Sequence, residues 1–213
     1  MDISSPNELD ILVFAKYPEK GRCKTRLAKD LGEVDALRIY QALLNHTLKV
    51  VANTPYRKIL VVHPPEKVSS AHRWAPGMDF YMPQSQGDLG ERIWAAIAQR
   101  FESGTKGIVI IGSDCPEISE DSLNSAFFGL RSHDVVLGPT TDGGYYLLGL
   151  KKGHESLFKN IPWSTELVLQ NTLDILKFQF LSYLSLNTFS DVDTMDDFRR
   201  VSHLEPLKNL GIR

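Results

Sequence analysis

The residues with the most chemical content crowd the start of the chain. The stretch ILVFAKYPEKGRCKTRL, residues 11–27, leaves an apolar run at Phe14 and then places Lys16, Lys20, Arg22, Lys24 and Arg26 within eleven positions, with Glu19 the only acid among them. Like charges this close repel, and a bound polyanion would remove the repulsion. Arg offers phosphate a planar fork and Lys a point charge, while Gly21 lets backbone N–H groups approach. Lys16, Gly21, Lys24, Thr25 and Arg26 are therefore candidate phosphate ligands, with Lys24 also a candidate catalytic cation. The plain alternative is a solvated surface turn. Lys24-Thr25 resembles the end of a P-loop, but that motif needs glycine where Pro18 and Cys23 stand. The G-x-G-x-x-G fingerprint of dinucleotide enzymes is also missing here.

Carboxylates supply the complementary chemistry. VIIGSDCPEIS puts Asp114 just after the most apolar run of the chain, and Pro116 forces the backbone out of any sheet. A hard oxygen ligand beside phosphates suits Mg2+ or Mn2+, since magnesium commonly takes one or two carboxylates plus phosphate oxygens. The competing use of Asp114 is a turn or helix cap. FSDVDTMDDF offers a second metal carboxylate in Asp191 or Asp193, although a helix start also favours acids. GPTTDGGYYLLGL reads as a hairpin turn at Asp142-Gly143-Gly144. The same turn lets a substrate approach Gly143 and Gly144 and lets Asp142 accept from hydroxyls in a catalytic role. Tyr145 and Tyr146 must face opposite ways, so one of them can line a pocket; Tyr145 is the candidate. In MPQSQGDLGERI, Gln84 and Gln86 can meet a base edge, with Gln86 and Asp88 the candidate nucleotide contacts. IPWST offers Trp163 and Ser164 as an acceptor-side wall.

The remaining reactive residues carry less. Two cysteines, Cys23 and Cys115, make neither a disulfide framework nor a four-ligand zinc site; a reduced, cytosolic setting fits, with Cys115 a packed thiol. Six histidines show no metal spacing, and the aromatic residues at 127, 128, 178 and 180 are expected in the core.

These residues need a frame. Short apolar runs at 10–15, 58–63, 107–114, 134–139, 144–150 and 180–186 read as strands. Segments with helical spacing lie at 33–53, 90–101, 119–130, 164–178 and 193–204. Ser119 and Ser164 are the expected N-caps of their helices. Alternating strands and helices predict a three-layer α/β/α sandwich on a mostly parallel sheet, in one domain over residues 1–213. Ligands of such sheets bind at the carboxyl ends of strands, where both the cationic loop and Asp114 fall. A content of 42% hydrophobic residues supports a sizeable core, and a net charge of −2 gives no global field for nucleic acid. The N-terminus lacks the pattern of a signal peptide and no apolar run reaches membrane length, so a cytoplasmic protein is expected.

The ordered motifs FAKYPEKGRCKTRL, QGDLGERI, IGSDCPEIS, LGPTTDGGYYLLGL, IPWST and DVDTMDD resemble the bacterial glycosyltransferase-like family of the GT-A, or nucleotide-diphospho-sugar transferase, superfamily. The resemblance spans about residues 10–200. More distantly, the chain is similar to the molybdenum cofactor and phospholactate guanylyltransferases. The resemblance implies a nucleotide held at the first loop by Lys16, Lys24 and Arg26 and a divalent metal at Asp114. DVDTMDD is similar to the D-I-D-T-P-E-D ending of guanylyltransferases, with Met195 in place of proline. The implied activity is transfer of a sugar from a nucleoside diphosphate sugar to a small-molecule acceptor. The alternative is nucleotidyl transfer from an NTP to a phosphorylated acceptor with release of pyrophosphate, which the number of cations suits at least as well. A nucleotide-binding regulatory domain would keep the cationic loop without needing Asp114.

Overall fold

The computed structural model describes residues 5–212. Seven strands form one sheet: β1 (Leu9–Lys16), β2 (Arg57–His63), β3 (Phe80–Pro83), β4 (Gly107–Ile111), β5 (Val135–Pro139), β6 (Tyr145–Leu150) and β7 (Tyr183–Ser185). They lie in the order β3-β2-β1-β4-β6-β5-β7. All run parallel except β6, which is antiparallel to both β4 and β5. The central strands are apolar at nearly every position, not at alternate ones, so each needs cover on both faces. All five residues of β4 are buried.

The helices supply that cover: α1 (Ala28–Ala52), the short α2 (Ala71–Trp74), α3 (Leu89–Glu102), α4 (Glu120–Gly129), α5 (Val168–Phe178) and α6 (Met195–Val201). Ile11, Val13, Val109 and Ile111 pack against α1 through Tyr40 and Leu44 and against α4 through Leu123 and Phe127. Their neighbours Leu12, Ile108 and Ile110 face the other way, onto Ile93 and Ile97 of α3 and Leu176 of α5. The sheet is thus the middle of three layers, as the alternation of elements predicts. Each such aliphatic side chain contributes about 1.5–3 kcal/mol when fully buried. α6 closes over the outer side of α1, where Phe198 and Val201 meet Ile39 and Leu43. At the amino edge, fully buried Asp10 receives Arg57 Nε and Arg100 Nε, each at 2.7 Å. That ion triad ties β1, β2 and α3 together opposite the edge where the loops gather.

Several expectations need correction. α1 begins earlier than the periodicity shows, because Gly32 (φ 79°) joins a short first segment to the main helix. Ser119 does cap α4, accepting from the Ser122 amide at 3.2 Å. Ser164 caps nothing: it stands at φ 65° and α5 starts four residues later at Val168. The sheet's edge strand β3 is absent from the expected strands, since its four residues are too few for a period to register. Phe127 is buried, but Phe128, Phe178 and Phe180 are 71%, 83% and 95% exposed, not core. No helix among the described residues is long and apolar enough to cross a membrane.

Candidate functional site

The loops at the carboxyl edge of β1 and β4 meet over the sheet. The chain after β1 turns at Gly21 (φ 76°) and again at Lys24, whose φ of 50° is a left-handed conformation rare for a residue with a side chain. The Ala28 amide donates to the Lys24 carbonyl at 2.8 Å, so the turn feeds directly into α1. The turn aims Lys24 inward. Its side chain is 3% exposed, and its Nζ lies 2.9 Å from Asp114 Oδ1 and 4.0 Å from Asp193 Oδ1. Arg26 remains outside and reaches Asp193 Oδ2 at 3.0 Å.

The acidic side is assembled from three further segments. Gly112 and Ser113 carry the chain off β4 to Asp114. After β7, the chain extends along the end of β5, where the Phe189 amide bonds the Pro139 carbonyl, and then crosses to β4, where the Val192 amide bonds the Asp114 carbonyl at 3.1 Å. That crossing brings Asp191 and Asp193 beside Asp114. Asp196 and Asp197 go instead to the start of α6, where Thr194 and Asp197 form a capping box. The β5–β6 turn supplies Asp142, whose Oδ1 accepts from Thr140 Oγ1 at 2.5 Å and from the Gly144 amide at 3.1 Å. Its other oxygen has no protein donor among the described residues.

Asp114, Asp142, Asp191, Asp193 and Arg26 line one cavity of about 480 Å3. Its inner wall is apolar and aromatic, with Phe14, Ile93, Tyr145 and Trp163, and its far rim carries Ser164, Thr165 and Glu166. Gly90 makes this wall possible: a Cβ there would lie 2.4 Å from Trp163 Nε1 and 2.5 Å from the Phe158 carbonyl. The QGDLGERI and IPWST motifs are therefore packed against each other. Tyr145 meets Trp163 edge-on at 6.4 Å, while Tyr146 turns to the opposite face and stacks on Phe189 at 4.7 Å.

Other residues singled out in the sequence lie elsewhere. Asp88 caps α3 in a reciprocal box with Glu91, each accepting a backbone amide at 2.8 Å, the Asp88 acceptor being Oδ1. Gln86 is exposed just before it, and Gln84 spends its amide on the Val61 carbonyl. Lys16 has its backbone fixed at both ends by the Tyr40 hydroxyl, with its side chain exposed. Gly21 and Thr25 belong to the loop but not to the cavity wall, and Gly143 packs under it. Phe14, Leu89, Thr140, Thr165 and Glu166 are cavity residues that the sequence did not single out. Thr140 and Thr165 stand within the quoted motifs. The wall position of Glu166 had no signal, because an acid there also suits a helix start.

Charge sets the character of the site. Burial, reinforced by the nearby Asp114 charge, pushes the Asp191 carboxyl up to about 7. His63, the register partner of Lys16 on β2, is held below its ordinary value by burial and then by the charges of Arg92 and Lys16. Lys16 and Arg92 thus bring positive charge to the β1–β2 side, while Asp114, Asp142 and Asp191 bring negative charge to the cavity. Burial raises the thiols of Cys23 and Cys115 above their ordinary value, which leaves both as packing groups. A folded chain that keeps a proton on Asp191 up to about pH 7, where the unfolded chain releases it near 3.8, must lose stability as pH rises through that window. Chemical denaturation of the metal-free protein should show a decline on the order of 2 kcal/mol between pH 4.5 and 7.5, and Asp191→Asn should flatten it.

The same crowding tests whether a divalent cation fits. Among the described residues, no group of three or more His, Cys, Asp or Glu converges closely enough to hold an ion alone. Asp114 and Asp191 nevertheless repel across the cavity edge, and the cation now nearest them is a lysine. Such a donor set fits a hard ion held by one or two carboxylates and completed by phosphate oxygens and water.

Known proteins resemble the chain in sequence and in fold. The profile of a family described as uncharacterized proteins conserved in bacteria (DUF2064) matches residues 47–165. The 2-phospho-L-lactate guanylyltransferase of Methanopyrus kandleri is 27% identical over 183 residues, covering 85% of each chain. A candidate nucleotide-diphospho-sugar transferase from Desulfovibrio desulfuricans G20, known from its crystal structure, is 30% identical. That likeness covers 95% of this chain and 91% of the other, with a TM-score of 0.85. A Mycobacterium tuberculosis H37Rv protein solved in complex with manganese shares the fold at 19% identity and a TM-score of 0.56, over 92% of this chain and 98% of its own.

Proposed function

We propose that this chain, which belongs to the DUF2064 family of proteins conserved in bacteria, is a metal-dependent nucleotidyltransferase: it passes a nucleoside monophosphate from an NTP to a phosphorylated small-molecule acceptor and releases pyrophosphate. The observation that carries this reading is the meeting of Lys24 and Arg26 with Asp114 and Asp193 at the mouth of the cavity. Such an arrangement suits a polyphosphate with its metal. Similarity to a guanylyltransferase of comparable length supports nucleotidyl transfer over sugar transfer.

In this reading Asp114 and Asp191 hold Mg2+ or Mn2+, and Asp193 orients Arg26. The ion supplies positive charge that stabilises the triphosphate and the departing pyrophosphate. Lys24 and Arg26 bind the β- and γ-phosphates, with Lys16 at the outer end of the same loop. An acceptor phosphate oxygen attacks the α-phosphorus as the bond to the β-phosphate bridging oxygen breaks, and the electron pair leaves with pyrophosphate. The chain contributes alignment above all. Asp142 accepts from an acceptor hydroxyl through its free oxygen, while Trp163, Tyr145 and Ser164 enclose the acceptor.

The name of the D. desulfuricans relative keeps sugar transfer as the competing chemistry, and product analysis separates the two. Incubation with GTP or CTP, Mg2+ or Mn2+, and 2-phospho-L-lactate or other phosphorylated hydroxy acids and sugars should release pyrophosphate in step with a nucleotide-capped acceptor. Nucleoside diphosphate released from a nucleotide sugar, with no pyrophosphate from any NTP, would reverse the assignment.

A further inference from the structure

Lys24 holds a position that phosphate binding alone does not explain. Its ammonium is buried against carboxylates whose own side chains are 41% (Asp114) and 46% (Asp193) exposed. A long, flexible lysine gives up rotamer freedom to sit there, from a left-handed backbone conformation that is costly in a non-glycine residue. The return is neutralisation: Asp114, Asp142, Asp191 and Asp193 face one cavity with Arg26, and Lys24 is the cation placed between two of them. At 2.9 Å from Asp114 Oδ1, its Nζ already holds one oxygen of the carboxylate that would bind metal. A divalent ion bonds carboxylate oxygen at about 2.1 Å, and two cations on one carboxylate repel strongly in a site partly closed to water.

Resting on the metal-and-nucleotide reading above, we propose that Lys24 is the resident counter-cation of the free protein, reserving Asp114 until donor phosphates draw the ammonium away. Metal then enters with the nucleotide and not before it. The free chain binds Mg2+ or Mn2+ weakly, the phosphates offer Lys24 a new partner, and vacated Asp114 closes on the ion the nucleotide brings. Lys suits this exchange better than Arg, because its compact charge moves on a flexible stem. Lys24 is thereby a positioning residue as well as a phosphate ligand, and it couples two binding events.

The test is a Mn2+ titration followed by electron paramagnetic resonance, with and without GTP, on the wild type and three variants. Wild type should bind free Mn2+ weakly and tighten on addition of GTP. Lys24→Met should bind free Mn2+ about tenfold or more tighter than wild type and lose most of the tightening by GTP. Lys24→Arg, which keeps the charge, should stay as weak as wild type without nucleotide. Free Mn2+ bound no tighter by a folded Lys24→Met would overturn the proposal. If that variant does not fold, wild type decides alone: free Mn2+ bound as tightly as in the presence of GTP overturns it too. Asp114→Asn separates the two levels. Loss of Mn2+ binding with GTP present upholds the metal assignment even where the Lys24 result fails, whereas undiminished binding sinks both.

Discussion

Asp114→Asn should lower pyrophosphate release by about a thousandfold, the scale set by removing one preorganised electrostatic group from a transition state, and leave a folded protein. The rate loss follows from position. Asp114 is the carboxylate nearest Lys24, at 2.9 Å, and its charge weighs most among those raising Asp191, so the proposed donor phosphates and ion would meet there. The fold survives because asparagine keeps the shape and an oxygen for Lys24, the Asp193 carboxylate remains 4.0 Å away, and the Asp114 carbonyl still accepts from Val192. The matched control is Asp196→Asn, in the same acid-rich region but paired on the surface with Arg199. It should keep the rate within about twofold, since an exposed ion pair is worth little. Equal rates in Asp114→Asn and wild type, measured by coupled pyrophosphate assay with saturating metal, would remove the carboxylate from the chemistry.

Gly143→Ala should be the most damaging single methyl group in the molecule. At φ 87°, alanine is strained by about 1–2 kcal/mol before any contact is counted. The added Cβ would then lie 2.1 Å from the Glu166 carbonyl oxygen, and both partners are main chain, pinned further by the Leu169 amide on the Gly143 carbonyl at 2.8 Å. Relief requires the turn or the 161–167 loop to move, and those are two sides of the cavity where the proposed acceptor would bind. The expected result is a loss of about 2–4 kcal/mol in denaturant unfolding and a raised KM for the acceptor, with KM for the NTP little changed. Gly32→Ala isolates the collision: its φ of 79° is similar, but nothing lies within 4 Å of the new Cβ. It should cost only the backbone strain, and equal costs at the two positions would refute the packing argument.

Legibility in the sequence followed the range of the interactions. The runs ILVFA and GIVII carry their strand character within themselves, and the alternation with helices was enough for three layers and for the edge where ligands gather. Asp114 and the cationic loop were legible because local rules, a strand end followed by Pro116 and a dense run of one sign, mark them. The pairing of Lys24 with Asp114 across 90 positions carries no such mark, and neither does the passage of Asp191 over β6. Asp88 misled because an acid ahead of a helix serves a cap and a ligand equally well; the Glu91 partner three residues on was the signal for the cap. Phe178 and Phe180 misled because hydrophobicity states a preference for burial but not whether a neighbour supplies it. β3 was missed because four residues at a sheet edge take their conformation from β2 alone.

The reversed direction of β6 has a practical consequence. A strand running against its neighbours brings its start, not its end, to the loop-bearing edge, so Thr140, Asp142, Gly144 and Tyr145 all reach the cavity from one unbroken stretch. The cations and carboxylates opposite are gathered from positions as far apart as Arg26 and Asp193. One half of the site is therefore a cassette and the other a mosaic. Under the proposed nucleotidyl transfer, exchange of residues 139–148 together with 161–168 between homologues would graft new acceptor ranges onto an unchanged donor half, and directed evolution of this scaffold would have its shortest path there.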